Sequence, residues 1–138
     1  DESGDLHSRP MSNNQDVEFN GDLWFYISAD SAKVHEVQRD ARVNASFADP
    51  KGRRYASLSG SAEVVRDLDM IKVLWKPEYK IWFPDGPETP GIALLKVSAS
   101  QAEYWDASQS LVSHAVKLVA AMVAGKQPDL GKNEKLHL

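Results

Sequence analysis

Lys33 stands in the first turn of "SAKVHEV", a short stretch whose Val34, Val37 and Ala41 recur as one face of a helix. The opening turn of a helix exposes unpaired N–H groups and the positive end of the macrodipole, so a cation there loses electrostatic stability unless an anion offsets it. Two explanations compete: the ammonium is simply solvated, or an anionic ligand sits at the helix start. Other residues with chemical potential are scattered. His7, His35, His114 and His137 have no partner at metal-ligand spacing, and none lies in an H-E-x-x-H pattern. Ser57, Ser59 and Ser61 alternate as the polar face of a strand does, without a G-x-S-x-G elbow that would mark a hydrolase. Neither a Walker loop nor a G-x-G-x-x-G turn offers a familiar nucleotide cradle. With no cysteine in the chain, thiol chemistry and disulfides are excluded, and any redox chemistry must come from a borrowed cofactor.

The elements that must position these residues are mostly strands. Asn20-Gly21 suits the positive φ angles of a tight hairpin turn between "HSRPMSNNQDVEF" and "DLWFYIS". In the second arm Leu23, Phe25 and Ile27 face one way and Trp24, Tyr26 and Ser28 the other, so both faces are expected to be at least partly covered. Asp30 or Ser31 can cap the helix that carries Lys33. "RVNASFA" and "RRYASLSGSAEVV" form a second hairpin around "DPKG", with Gly60 marking a bend or a close backbone approach. A helix capped by Asp67 is predicted to turn Leu68, Ile71 and Leu74 inward and to stop at Pro77. A loop "KIWFPDGPETPG" and a long or broken strand "IALLKVSASQAEYWD" follow, then a helix over roughly 110–124 with a wide apolar face. The tail "GKNEKLHL" is expected to be exposed. Five or six strands, mostly in antiparallel hairpins, with three helices attached, predict a mainly β fold: a small closed or partly open barrel with peripheral helices.

A length of 138 residues and 42% hydrophobic content suit one domain with a real core, so residues 1–138 are read as a single domain. A net charge of −4 gives no basic field for nucleic acid or an anionic membrane. The last apolar run is too short for a bilayer span and is interrupted by His114 and Lys117. It is therefore expected to pack between protein surfaces, a second copy of the chain supplying one of them. The lack of cysteine suits a cytoplasmic location. "DESGDLHSRPM" holds no initiator methionine and begins as a turn that should follow a strand, so the chain is expected to start inside a domain lacking its N-terminal helix and first strand.

"HSRPM", "SAKV", "SLSGSAEVV", "WFPDGP" and "AEYWD", in this order and spacing, resemble the bacterial general stress protein branch of the pyridoxamine 5′-phosphate oxidase-like, FMN-binding split-barrel family. The resemblance covers roughly residues 7–106. It implies a split β-barrel with Greek-key type antiparallel strands, and a homodimer with flavin at the subunit interface. It also implies FMN as the cofactor, with FAD possible. It places Ser31 and Lys33 on the FMN phosphate, which would give the lysine its anion. Arg9, Pro10 and Met11 would run along the flavin, with Arg9 also in reach of the phosphate. Ile27 and Ser28 would lie beneath the ring or the ribityl chain, and Trp105 would cover the flavin from the second subunit.

The pattern departs from the family's namesake enzymes, whose tryptophan motif is followed by arginine and histidine residues that grip the substrate. Residues 107–138 contain no arginine, so oxidation of pyridoxamine phosphate is not expected. No catalytic side chain stands out, although an isoalloxazine can accept and give electrons with the protein supplying position and electrostatics. Two readings follow from the resemblance: a flavin-dependent oxidoreductase of unknown substrate, or a non-catalytic protein that stores or senses flavin under stress. A weaker third is a split barrel that has lost flavin or holds haem or the deazaflavin F420.

Overall fold

The computed structural model describes residues 4–12, 20–106 and 132–137, the last six through their backbone alone. Along the chain run β1 (Asp22–Ser28), α1 (Ala32–Arg39), β2 (Arg42–Asp49), β3 (Arg54–Val65), α2 (Leu68–Val73), 3₁₀ turns at Pro77–Ile81 and Gly86–Glu88, β4 (Ile92–Asp106) and β5 (Lys132–His137). The strands form one sheet in the order β1-β4-β3-β2, with β5 also paired to β4. The mainly β architecture expected from the sequence is the one observed. The chain divides into two compact units, residues 1–43 with 60–99 and residues 44–59 with 100–138. The strands β2, β3 and β4 each contribute residues to both.

In the first unit, β1 alternates as predicted. Leu23, Phe25 and Ile27 are buried on one face. Trp24 and Tyr26 on the other face pack against Ile71, Leu74, Ile92 and Leu94. A strand covered on both sides needs a partner along its edge, and β1 pairs antiparallel with β4 from Asp22↔Ser98 to Ser28↔Ile92. Gly60 is a close approach: a Cβ there would lie 2.0 Å from the Ser98 carbonyl oxygen. Asp67 caps α2, its carboxylate accepting the N–H groups of Asp69 and Met70 at 2.8 and 3.2 Å. Ile71 is 1% exposed, but Leu68, predicted to face inward, is 58% exposed. The helix has six residues, and in its opening turn the cap geometry rather than apolar spacing sets direction.

Tyr26 ties this helix to the sheet. Its hydroxyl donates to the Ile71 carbonyl at 2.6 Å, one of the carbonyls that the end of a helix leaves without an amide partner. The ring sits within 4.6–6.1 Å, centroid to centroid, of Tyr79, Trp75 and Phe83.

The first arm of the expected Asn20-Gly21 hairpin is not found as a strand. Residues 5–12 have no regular secondary structure, and residues 13–19 lie outside the described residues. Entering β1, Gly21 has φ 103°, the Asn20 Oδ1 accepts the Asp22 N–H at 3.2 Å, and the Gly21 carbonyl accepts the Ala99 N–H of β4 at 2.8 Å.

In the second unit, the "DPKG" turn is closed by Asp49, whose carboxylate accepts the Gly52 N–H at 2.9 Å and pairs with Arg54 at 2.7 Å. Asn44 spans to the serine face, donating to Ser57 Oγ at 2.8 Å and Ser59 Oγ at 3.1 Å. β4 is one unbroken strand of 15 residues. The C-terminal stretch expected to be an exposed tail is β5, paired antiparallel with β4 from Gln101↔His137 to Asp106↔Lys132. The predicted helix over 110–124 lies outside the described residues. Among the described residues, no helix is long and apolar enough to cross a membrane.

Candidate functional site

The end of β1 and the start of α1 form a compact turn. The Ser31 N–H donates to the Ser28 carbonyl at 3.1 Å, and the Ala29 N–H donates to the Gly91 carbonyl at 2.7 Å, pinning the turn to the residue before β4. Asp30 N–H approaches Ser28 Oγ at 3.4 Å. Ser31 is the N-cap, with φ −73° and ψ 148°, and its carbonyl accepts the Val34 N–H at 3.0 Å. An N-cap serine ordinarily turns its hydroxyl back onto the N–H groups of the first turn. Ser31 does not: its side chain makes no capping bond, and its Oγ is buried with no hydrogen-bond partner. A buried hydroxyl left unpaired costs about 1–3 kcal/mol.

Beside it, Lys33 is half-buried, and the first turn of α1 contains no acidic residue. The N–H groups of Ala32 and Lys33 open the helix and have no carbonyl a turn earlier within it. A buried hydroxyl, an ammonium and leading amide groups thus share one helix start, and each can donate to an anion. A phosphate fits that donor set, since charge-assisted hydrogen bonds from lysine and from helix-opening amides are the strong contacts such groups accept.

The other residues singled out in the sequence divide. Ile27 is 2% exposed at the end of β1, and Ser28 is exposed at its last position, so both adjoin the Ser31–Lys33 turn. Pro10 and Met11 are exposed in the irregular segment. Arg9 is joined to the same helix through Glu36: its Nη1 donates to Oε2 at 2.6 Å and its Nη2 to Oε1 at 2.8 Å. The hydrogen bond from Arg9 is the main reason the Glu36 carboxyl is held below the usual carboxylate range. Trp105 belongs to the second unit, half-buried on β4 and opposite Asn133 of β5.

The contact between Arg9 and Glu36 was not visible in the sequence. The two lie 27 positions apart, and only the place of Glu36 one turn beyond Lys33 hints at a shared helix face. Among the described residues, no group of three His, Asp or Glu is arranged to hold a metal ion.

The family model described as "Pyridoxamine 5'-phosphate oxidase like" matches residues 1–129, and the chain belongs to that family. Its relatives place it in the general stress protein branch with the split-barrel fold. The crystal structure of the general stress FMN/FAD binding protein from Xanthomonas citri is 32% identical, with 80% of this chain and 78% of that one covered and a TM-score of 0.70. A protein related to general stress protein 26, from Clostridium acetobutylicum, shares the fold at 16% identity and a TM-score of 0.66, covering 93% of this chain and 73% of that one. Protein bli-3 of Neurospora crassa is 28% identical over 119 residues, covering 80% of this chain. The chain spans 57% of the length of that curated relative.

Proposed function

We propose that the protein binds FMN through its phosphate at the start of α1 and acts as a flavin-dependent oxidoreductase of the general stress class. The observation that carries this reading is the buried, unpartnered Ser31 hydroxyl beside Lys33. A phosphate oxygen would accept the Ser31 hydroxyl proton and face the Lys33 ammonium, and the Ala32 and Lys33 amides would add donors. The name of the Xanthomonas citri relative supports a flavin as the ligand, FMN or FAD. FMN is favoured here because a terminal phosphate can seat directly on a helix N-terminus.

Ile27 offers a buried apolar side chain and Ser28 an exposed hydroxyl next to the phosphate turn, so they would lie beneath the ribityl chain or the ring. The Arg9–Met11 segment would run along the flavin. Trp105 would cover it from the partner chain of a homodimer. When bound, the isoalloxazine supplies electron transfer; the chain's own residues bind, orient and shield it. A cytoplasmic location accords with this role.

The test begins with the absorption spectrum of purified protein supplied with FMN, followed by anaerobic photoreduction and assay of NADH and NADPH oxidation. Bound flavin that is reduced in light and turns over with a nicotinamide donor is the expected result. Bound, photoreducible flavin without turnover against either donor would favour flavin storage or sensing, and absence of bound flavin would overturn the reading. Light scattering at micromolar concentration is expected to give twice the chain mass, and a monomer would remove the interface role of Trp105.

A further inference from the structure

Between α2 and β4 the chain runs through a proline- and glycine-rich loop that ends against the turn opening α1. We propose that residues 83–91 of this loop form a buttress that sets the turn at residues 29–31, and that Gly91 is the positioning residue through which the buttress acts. This rests on the flavin-binding reading above, and it gives Gly91 no contact with the ligand.

The loop is a succession of closed turns. The Phe83 carbonyl accepts the Gly86 N–H at 3.0 Å, the Gly86 carbonyl accepts the Thr89 N–H at 3.1 Å and the Thr89 hydroxyl at 2.7 Å, and the Thr89 carbonyl accepts the Ile92 N–H at 3.1 Å. At one end Phe83 packs on the buried cluster of Ile71, Leu74, Ile92 and Leu94. At the other, the Gly91 carbonyl accepts the Ala29 N–H at 2.7 Å. That bond matters because of where the sheet ladder stops. β1 is registered on β4 as far as Ser28↔Ile92, which fixes Ile27 and Ser28, the residues assigned to the ribityl chain and ring. Ala29, Asp30 and Ser31 lie past the last rung, so the direction in which the chain enters α1 depends on the hold at Gly91. Gly91 has φ 77°, a left-handed backbone that glycine adopts freely and β-branched residues resist. Lack of room does not explain the glycine: a Cβ placed there would meet Asp30 Oδ2 at 3.8 Å, an ordinary contact distance. What the glycine supplies is the direction of its carbonyl.

Substitutions at residue 91 separate that direction from bulk, because asparagine tolerates left-handed backbone and valine does not. Fluorescence titration of wild type, Gly91→Val and Gly91→Asn with FMN and with riboflavin, which has no phosphate, reads the difference. Gly91→Val is expected to weaken FMN about tenfold, the loss of roughly one charge-assisted phosphate contact, and to leave riboflavin within about twofold of wild type. Gly91→Asn is expected to bind both flavins as wild type does. If Gly91→Val does not fold, Gly91→Ala is titrated in its place, with the same loss confined to FMN. Equal losses of both flavins would mean general damage to the fold, unchanged FMN affinity would mean that the turn does not need the bond, and an asparagine variant as poor as the valine one would mean that bulk decides. Each of these overturns the buttress and leaves the flavin reading intact. Wild type that binds FMN no better than riboflavin, or binds neither, would instead remove the phosphate site and the buttress that rests on it.

Discussion

Ser31 combines two features that normally exclude each other, an N-cap position and a hydroxyl that caps nothing. Removing that hydroxyl should therefore cost the flavin-free protein nothing, because no hydrogen bond is lost and a desolvated polar group disappears. Ser31→Ala is expected to leave the melting temperature of the flavin-free protein unchanged or raised while weakening FMN; a lowered melting temperature would show that the hydroxyl is satisfied after all. Tyr26 is the opposite case, a hydroxyl whose single bond to Ile71 completes the end of a helix. Tyr26→Phe keeps the ring among its aromatic neighbours but strands a part-buried carbonyl, so a loss of about 1–3 kcal/mol is expected in urea unfolding, with FMN affinity little changed. At this scale Lys33 could be singled out in the sequence as a candidate because a cation in a first turn contradicts the helix dipole. Glu36 could not, since nothing local links it to a partner 27 residues away. The missing cap bond of Ser31 was equally hidden, because residue type shows what a side chain can donate and not where it points.

Elements were legible where periodicity and turn chemistry agreed. The alternation of β1, the Asp67 cap and the close approach at Gly60 all follow from residue types with a single cheap structural use. Gly60 gives the sharpest test: in Gly60→Ala the new methyl would sit 2.0 Å from the Ser98 carbonyl oxygen, a backbone atom that cannot rotate away. The β3–β4 contact would have to open, at a cost of about 1–3 kcal/mol or more, measurable as a lowered urea midpoint. A midpoint equal to wild type would mean the strands part freely at this point. Two elements were missed for physical reasons. β5 contains Lys132, Asn133, Glu134 and Lys135, residues depleted in strands, and it takes its conformation from pairing with β4 rather than from its own propensity. "HSRPM" reads as extended chain but forms no strand among the described residues, and its ionic tie to α1 is a tertiary contact without sequence periodicity.

For the whole molecule, the pH response follows from its paired carboxylates. Among the described residues, three carboxylates are held below their ordinary values: Glu36 by hydrogen bonds from Arg9, Asp40 by its side-chain bonds to Arg42, and Asp49 first by the Gly52 N–H and then by Arg54. A carboxylate whose folded value is depressed stabilises the fold fully above its unfolded value, and that stabilisation is lost as pH falls through the folded one. Stability should therefore be flat from neutral pH down to about 5 and fall below about pH 4, where ordinary carboxylates begin to protonate. Because the Asp40 and Asp49 pairs are exposed and the Glu36 pair is partly so, salt should blunt the fall. Urea unfolding at a series of pH values at low and high salt reads this, and stability that rose on acidification would contradict it. Fold class and family were legible from the sequence because five short motifs kept their order and spacing across some 100 residues, and the split-barrel relatives share that scaffold.

Calorimetric titration of FMN into wild type and Lys33→Ala tests the proposed phosphate site at the start of α1 most directly. Wild type is expected to bind FMN, and Lys33→Ala, with an unchanged far-UV spectrum, to bind about 1.5–3 kcal/mol more weakly, roughly ten- to hundredfold, the worth of a charge-assisted contact to phosphate. Equal affinities in the two proteins, or no heat of binding in either, would contradict it.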